Sequence, residues 1–400
     1  MSNPAKSAIG FPTYVPQSAF GANDRIVYGH IGVGGMGSSH IVGDSCAALC
    51  DVDANHLASA AKRVQGKPML TDDYRRVLDR KDIDAVTIGT PDHWHAIMAV
   101  HACMAGKDVY SEKPVCKTIE EGLAMVNAAR RYKRIMQIGA QGRSNPKVAA
   151  AANYLRNGKA GDIKKVVIWH PENLSSGSGF ETPSNPPSHM NWDMWLGPTP
   201  DRPYSSVLSP RGNHNHFPAW RNYREFSGGG HADIGAHMYD IMQWGLGTDA
   251  SGPVEVLPPD DPSEGQGARF IMPNGVEITH GGASGVVFTG TRGMLRVDRG
   301  VLFSNPKELI QDPLADSEVH LLKSPGHHRN WLDCIKSRER CLCDVEIGAR
   351  SNQYTQLGNL AYWHGRKLKW DPVKWKFPGD KEANTWLDYE RRPQWKLPKA

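Results

Sequence analysis

"RIVYGHIGVGGMGSSHIVGDSCAALCDVD", residues 25–53, decides how this chain begins to fold. The apolar run "RIVYGHIG" reads as a strand and "CAALCDVD" as a second one. Between them stands Gly32-Val33-Gly34-Gly35-Met36-Gly37, a GxGxxG turn. Gly32 permits the tight turn, Gly34 lets a pyrophosphate approach the backbone, and Gly37 lets helix meet strand. The short helical segment opened by Gly35 and Met36 offers its leading N–H groups to phosphates. The turn alone is a weak signal. Here it follows a strand and has Asp51 nineteen residues after Gly32, ending the second strand. An acidic group at that point hydrogen-bonds a ribose diol and repels a 2′-phosphate, which predicts NAD in preference to NADP.

Outward from this stretch the pattern alternates. "ANHLASAAKRVQ" and "DDYRRVLDR" read as helices, "DAVTIGTP" as a buried strand and "WHAIMAVHACMAG" as a helix. "KDVYSEKP" comes next as strand and turn, "TIEEGLAMVNAARRYK" as a helix and "RIMQIGA" as a strand. Strands alternating with helices predict a parallel sheet covered on both faces, over residues 24–148. After the helix "PKVAAAANYLRNG" the period changes. "DIKKVVIWH", "ARFIMP", "GVEITHGG", "GVVFTGT" and "GMLRVDRGVLF" predict antiparallel strands joined by glycine turns, within a domain over 149–325. Residues 172–228 form a long Pro/Gly-rich stretch carrying Trp192, Trp195 and Trp220, and a loop of that length is commonly functional. Residues 1–23 read as an extended arm. Residues 326–400 read as helices and then a Trp/Pro-rich tail lying on the surface or on a partner subunit.

Bulk composition narrows the possible functions. The 400 residues carry 47 basic and 42 acidic side chains without a basic block, so nucleic-acid binding has no support. No apolar run approaches the roughly 18 residues that span a bilayer. Seven cysteines at irregular spacing, with no CxxC pair, read as free thiols.

Three further stretches carry polar chemistry. "TPDHWH", residues 90–95, stands after the fourth strand, and "SEKP", residues 111–114, ends the next one. Both therefore face the crevice at the carboxyl ends of a parallel sheet, and Lys113-Pro114 is a place for a cis bond. "GGGHADIGAHMYD", residues 228–240, puts Asp233, His237 and Asp240 on one face of a helix. Removing hydride from a carbinol requires a nearby group that takes the hydroxyl proton. Histidine does this with little tuning, and lysine does it when burial or positive charge depresses its pKa. Lys113 and His237 are the candidate proton-transfer pair, either one the base, with Asp233 positioning the substrate and Asp240 structural. His231, Asp233 and His237, with His214 and His216 upstream, could also supply metal ligands. Hydride transfer to NAD needs no metal, and none is expected.

"GVGGMG", "TPDHWH", "AGKDVYSEKP" and "SGGGHADIGAHMYD", in this order and spacing, resemble the glucose–fructose oxidoreductase / inositol dehydrogenase family over about residues 24–365. "NWDMWLGPTPDRPY" and "DIMQWGLGTD" resemble a bacterial branch of sugar oxidoreductases and NAD-dependent glycosidases. The resemblance implies a Rossmann domain and after it an open, mostly antiparallel sheet domain, whose exposed face makes a homodimer or homotetramer. It implies that Lys113, Asp233 and His237 are catalytic. It places Thr90, Pro91, His95, Glu112, Gln141, Trp220 and Arg221, with the glycine turn and Asp51, at the cofactor, and Arg143, Tyr223 and His231 at the substrate.

The expected activity is NAD-dependent hydride transfer at a secondary hydroxyl of a sugar, glycoside or cyclitol. The alternative is a glycosidase that oxidises C3, eliminates, hydrates and reduces again on one retained NAD; a non-catalytic sensor is a third. The segment "FPTYVPQSAFGAND" resembles the stretch that comes after a twin-arginine leader in exported relatives. The expected location is cytoplasmic, or periplasmic if such a leader precedes this chain.

Overall fold

The computed structural model describes residues 25–170, 183–208, 219–261 and 263–399. The extended arm, His214 and His216 lie outside them. The first six strands are β1 (Tyr28–Ile31), β2 (Cys46–Cys50), β3 (Met69–Thr71), β4 (Ala85–Ile88), β5 (Asp108–Ser111) and β6 (Met136–Ile138). They pair in the order β3-β2-β1-β4-β5-β6, every neighbour parallel. Strand order reverses between β1 and β4, which opens a crevice at their carboxyl ends. Helices α1 (Ala54–Ala61), α2 (Tyr74–Leu78), α3 (Asp92–Met104) and α4 (Ile119–Arg131) lie between the strands. α3 is buried along almost its whole length, and β1, β4 and β5 are buried throughout, as a sheet covered on both faces requires. The ends of these helices are set locally. Asp53 caps α1, and Thr118 with Glu121 closes a capping box at α4.

α5 (Pro146–Arg156) leads to the second sheet: β7 (Ile163–Ile168), β8 (Glu255–Leu257), β9 (Arg269–Ile271), β10 (Glu277–His280), β11 (Val286–Gly290), β12 (Gly293–Val297), β13 (Leu302–Asn305) and β14 (Leu368–Lys369). Its order is β13-β12-β11-β7-β10-β9-β8-β14, antiparallel except for β7 beside β10. "GMLRVDRGVLF" is two strands rather than one, because Asp298 and Val301 exchange backbone hydrogen bonds and fold it into a hairpin. α6 (Trp192–Leu196), α7 (Gly229–Asp233), α8 (Gly235–Leu246), α9 (His327–Ser337), α10 (Val345–His364) and α11 (Lys381–Thr385) complete the chain. One core runs from the first sheet through α8 and α10 to the inner face of the second. All seven cysteines are free. No helix among the described residues is long and apolar enough to cross a membrane. The Trp/Pro tail lies against its own chain, with Trp395 edge-on to Trp94.

Candidate active site

A crevice of about 410 Å³ begins at the glycine turn and ends between the two sheets. At its first end lie Gly32, Gly34, Gly35, Met36, Asp51, Asp53, His56, Arg63 and Asp72. Gly32 adopts φ +74°, a left-handed conformation that costs glycine little. A β-carbon on Gly37 would stand 1.7 Å from the Gly32 carbonyl oxygen, so only glycine lets the short helical turn Met36–His40 sit against β1. No side chain caps that turn, although the Ser38 N–H is taken by the Gly34 carbonyl at 3.1 Å. Asp51 accepts hydrogen bonds from the Val33 and Asp53 N–H groups, at 2.8 and 3.0 Å. These bonds pin its carboxylate beside the turn.

The other end is lined by Thr90, Pro91, Asp92, Glu112, Lys113, Trp220, Arg221 and Asp233. Lys113 precedes a cis proline. Its Nζ donates to Asp233 Oδ1 at 2.7 Å and to the Asp233 carbonyl at 3.1 Å, joining the two sheets' halves of the crevice. Arg221 Nε lies 3.3 Å from the same carboxylate oxygen. Burial opposes ionisation of Asp233, yet the two cations outweigh it and hold its pKa below the usual carboxylate range. Glu112 is likewise held below its usual range. Burial raises it, but His40, bonded at 2.9 Å, and Lys113 lower it further.

His237 is buried, and its Nδ1 has no hydrogen-bond partner. Burial, then the neighbouring Lys113 charge, pull its pKa down to about 3, so it is neutral near pH 7. Lys113, Asp233, Glu112 and Arg221 thus share the crevice, with His237 within electrostatic reach of Lys113 but outside the lining.

Several expected residues stand elsewhere. His95 bonds the Pro114 carbonyl at 2.7 Å and the Thr90 carbonyl at 2.9 Å, stapling the two strand-end turns together from behind. Gln141 donates to Glu112 and to the Tyr110 hydroxyl. Arg143 does not line the crevice: it is buried between Asp240, bonded at 2.9 Å, and Asp249, bonded at 2.7 Å. Asp240, raised to about 6 by burial against the pull of Arg143, is the structural partner of that pair. Arg143→Lys should lower the unfolding free energy by about 1–3 kcal/mol, read from the urea midpoint, because an ammonium cannot span both carboxylates. Tyr223 packs in an aromatic cluster with Trp195, Trp220 and Phe226, under the Arg202 guanidinium.

His231 is also removed from the crevice lining. It meets His170 and His280, with one ring nitrogen of each lying within 4.8 Å of the others. The His170 and His280 rings stack at 3.6 Å and 14°, so their in-plane lone pairs run side by side rather than toward one point. The nitrogens of His280 already meet the Tyr362 hydroxyl at 2.6 Å and the His170 carbonyl at 3.3 Å. Among the described residues His231, Asp233 and His237 share no common centre.

Sequence reasoning passed over Asp92, Asp53, Asp72, Met190 and Met194, all of which line the crevice, as does Trp195 of the long loop expected to be functional. Asp92 is held by the Ser227 hydroxyl at 2.7 Å, which ties the "TPD" turn to the triple glycine. Its place inside "TPDHWH" was the available signal.

Residues 26–140 match the oxidoreductase family's NAD-binding Rossmann fold, and residues 169–397 match its C-terminal alpha/beta domain. The chain belongs to this oxidoreductase family, the glucose–fructose oxidoreductase / inositol dehydrogenase group named by its motifs. It is 38% identical to levoglucosan dehydrogenase of Pseudarthrobacter phenanthrenivorans over 107 residues, 27% of each chain. It is 36% identical to a glycosyl hydrolase family 109 protein of Shewanella putrefaciens over 125 residues, 28% of this chain and 27% of that one. The alignments span between about a quarter and a half of the length of such curated relatives. In fold it is similar to the WlbA dehydrogenase of Bordetella pertussis, solved with NADH and UDP-GlcNAcA. That likeness has a TM-score of 0.62 at 17% identity, over 87% of this chain and 98% of that one.

Proposed function

We propose that this protein transfers a hydride between NAD and a secondary hydroxyl of a sugar, glycoside or cyclitol. The observation that carries the reading is the Lys113–Asp233 pair, 2.7 Å apart, at the far end of a crevice that starts at the glycine turn. The first end fits a dinucleotide: an uncapped helical turn for the pyrophosphate and the Asp51 carboxylate for the ribose. Asp51, Asp53 and Asp72 outnumber Arg63 there, which favours NAD over its 2′-phosphorylated form.

When bound, NAD supplies a hydride acceptor at nicotinamide C4. The chain supplies the rest. Lys113 Nζ, after its ammonium gives one proton to solvent, takes the proton of the hydroxyl being oxidised and returns it in the reverse direction. Asp233 holds Nζ in place and accepts from a second hydroxyl of the substrate. His237, so weakly basic that it stays neutral, assists from behind Lys113 without carrying the proton itself. Thr90, Pro91, Glu112, Trp220 and Arg221 complete the walls. We place self-association on the outer face of the second sheet, where Thr279, Val167, Val287, Arg296 and Phe303 form one cross-strand row.

The test is a panel of sugars, anhydrosugars, glycosides and cyclitols with NAD or NADP, followed at 340 nm with the protein itself at high micromolar concentration, so that one NADH per chain is visible. A rise with NAD that exceeds the NADP rate at least tenfold is expected, and silence across the whole panel refutes the dehydrogenase. A second reading, glycoside cleavage through transient oxidation, is favoured by the likeness to glycosyl hydrolase family 109 proteins. Nitrophenol release from aryl glycosides without accumulating NADH would select it.

A further inference from the structure

The adenosine end of the crevice is roofed by the second half of the chain. Beyond Asp51, residues 52–54 pair with residues 189–191: Asn191 N–H donates to the Val52 carbonyl and Ala54 N–H to the His189 carbonyl, each at 2.8 Å. Asn191 Nδ2 also donates to Asp72 at 2.8 Å. α6 comes next, and Met190, Met194 and Trp195 face the crevice. Three side chains fasten this roof from outside, of which His93, in α3, bonds the Trp195 carbonyl through Nε2 at 3.0 Å. Trp94 Nε1 donates to the Met194 and Trp195 carbonyls at 3.0 and 3.1 Å. Arg392, near the end of the chain and buried, binds five acceptor atoms on residues 193–201. Its Nε donates to the Gly197 carbonyl at 2.6 Å, and Nη1 to Asp193 at 2.5 Å and to Asp201 at 2.7 Å. Nη2 donates to the Asp193 carbonyl at 2.7 Å, and the backbone N–H to the Pro198 carbonyl at 3.1 Å.

The residues beside Arg392 are themselves moored to the first domain. Arg391 donates at 2.8 Å to Glu121, which is wholly buried in α4. Lys117 Nζ stands 3.4 Å from the Tyr389 ring centre, and Trp395 sits edge-on to Trp94 at 4.8 Å. The tail is therefore anchored on the Rossmann side, while Arg392 reaches across to the roof.

We propose that residues 389–395 are a latch that keeps the 189–197 roof closed over the adenosine half of bound NAD(H), so that the dinucleotide is retained between turnovers. The proposal rests on the reading of the crevice as an NAD(H) site. A dinucleotide leaving past α6 must displace the roof, and the roof cannot lift without breaking the buried guanidinium's bonds. Retained NADH is reoxidised in place by a second substrate or by the reverse step, so one chain yields at most one NADH unless an acceptor is present.

The experiment uses the full chain loaded with NADH. Its release is followed by the loss of nicotinamide fluorescence on mixing with excess NAD, and dinucleotide content is measured after dialysis and acid extraction. Arg392→Ala is expected to speed release at least tenfold and to lower the dialysed content. Asp193→Asn with Asp201→Asn, both on exposed side chains, leaves the core intact and is expected to speed release at least threefold. Release within twofold of the parent in both variants overturns the latch alone. A parent chain that binds no NADH overturns the latch and the cofactor reading together.

Discussion

Lys113→Arg is expected to lower kcat by about 10²–10⁴-fold on whichever sugar of the panel the parent oxidises fastest, while leaving NADH binding within a few-fold. Arginine preserves the positive charge and can still bond Asp233, but its guanidinium does not give up a proton in a protein. The substitution therefore separates proton transfer from electrostatics. Lys113→Ala is expected to lose turnover to a similar degree and some stability besides. It leaves the buried Asp233 carboxylate facing Arg221 at 3.3 Å without the closer ammonium. Both values are read from single-turnover mixing at 340 nm, with the protein at high micromolar concentration and NAD saturating, and binding from the quenching of protein fluorescence. An arginine variant that keeps more than a tenth of the parent kcat would remove Lys113 from the role of proton carrier.

The protein is expected to lose stability steeply as pH falls from 6.5 toward 5. Burial is the largest cause holding His30, His93 and His237 near 3 and His280 near 4. In the unfolded chain these groups take up protons near 6.5, and in the folded chain they do not. Between the folded and unfolded values the unfolded state therefore binds more protons, so stability rises with pH there and falls as acid is added. Each histidine contributes about 1.4 kcal/mol per pH unit below 6.5. Asp240 works in the opposite sense. Its folded pKa, about 6, lies above the unfolded one, so the folded state gains a proton first and recovers roughly one histidine's share. Asp92, also raised by burial, acts the same way. The net loss, on the order of a few kcal/mol per pH unit, compares with a total stability of about 5–15 kcal/mol for a typical protein. Urea midpoints at pH 7, 6 and 5 and fixed ionic strength test this, and a flat series across that range would contradict it.

The first sheet was readable because its signals are local. A glycine turn, an aspartate at the end of the next strand and helices of regular period between apolar runs each fit within about thirty residues. Lys113 and Asp233 were readable as site candidates for a related reason, since they sit in short stretches whose chemistry stands out from their surroundings. The sequence nevertheless paired Lys113 with His237 for proton transfer and left Asp233 the positioning role. Arg143 was misplaced because its partners, Asp240 and Asp249, lie far along the chain. A sequence does not announce that an arginine is buried between two carboxylates rather than open to a ligand. His237 was expected on one helical face with Asp233, but the helix breaks at Ile234, leaving Asp233 at the end of α7 and His237 in α8. The neutrality of His237 depends on burial and on a lysine from the other half of the chain. The roof was legible only as part of a long Trp-bearing loop, and its pairing was hidden. Met190 pairs with Asp53 through backbone bonds that any residue could make, inside a stretch with no period.

The tail that reaches back from the C-terminus also bears on how the chain acquires its structure during synthesis. The first sheet can assemble once β6 has emerged, yet part of its outer surface is completed only by residues made much later. Trp331 of α9 packs against Tyr28 and Tyr110, and Trp395 covers Trp94 and Tyr74. Until then those aromatic rings are exposed on a nascent domain. Contacts between such distant parts of a chain form slowly, and the exposed apolar surface is open to chaperones and to other chains in the interval. A ribosome stalled after β13 would hold a molecule with the first sheet and all of the second but β14 formed and this surface still bare.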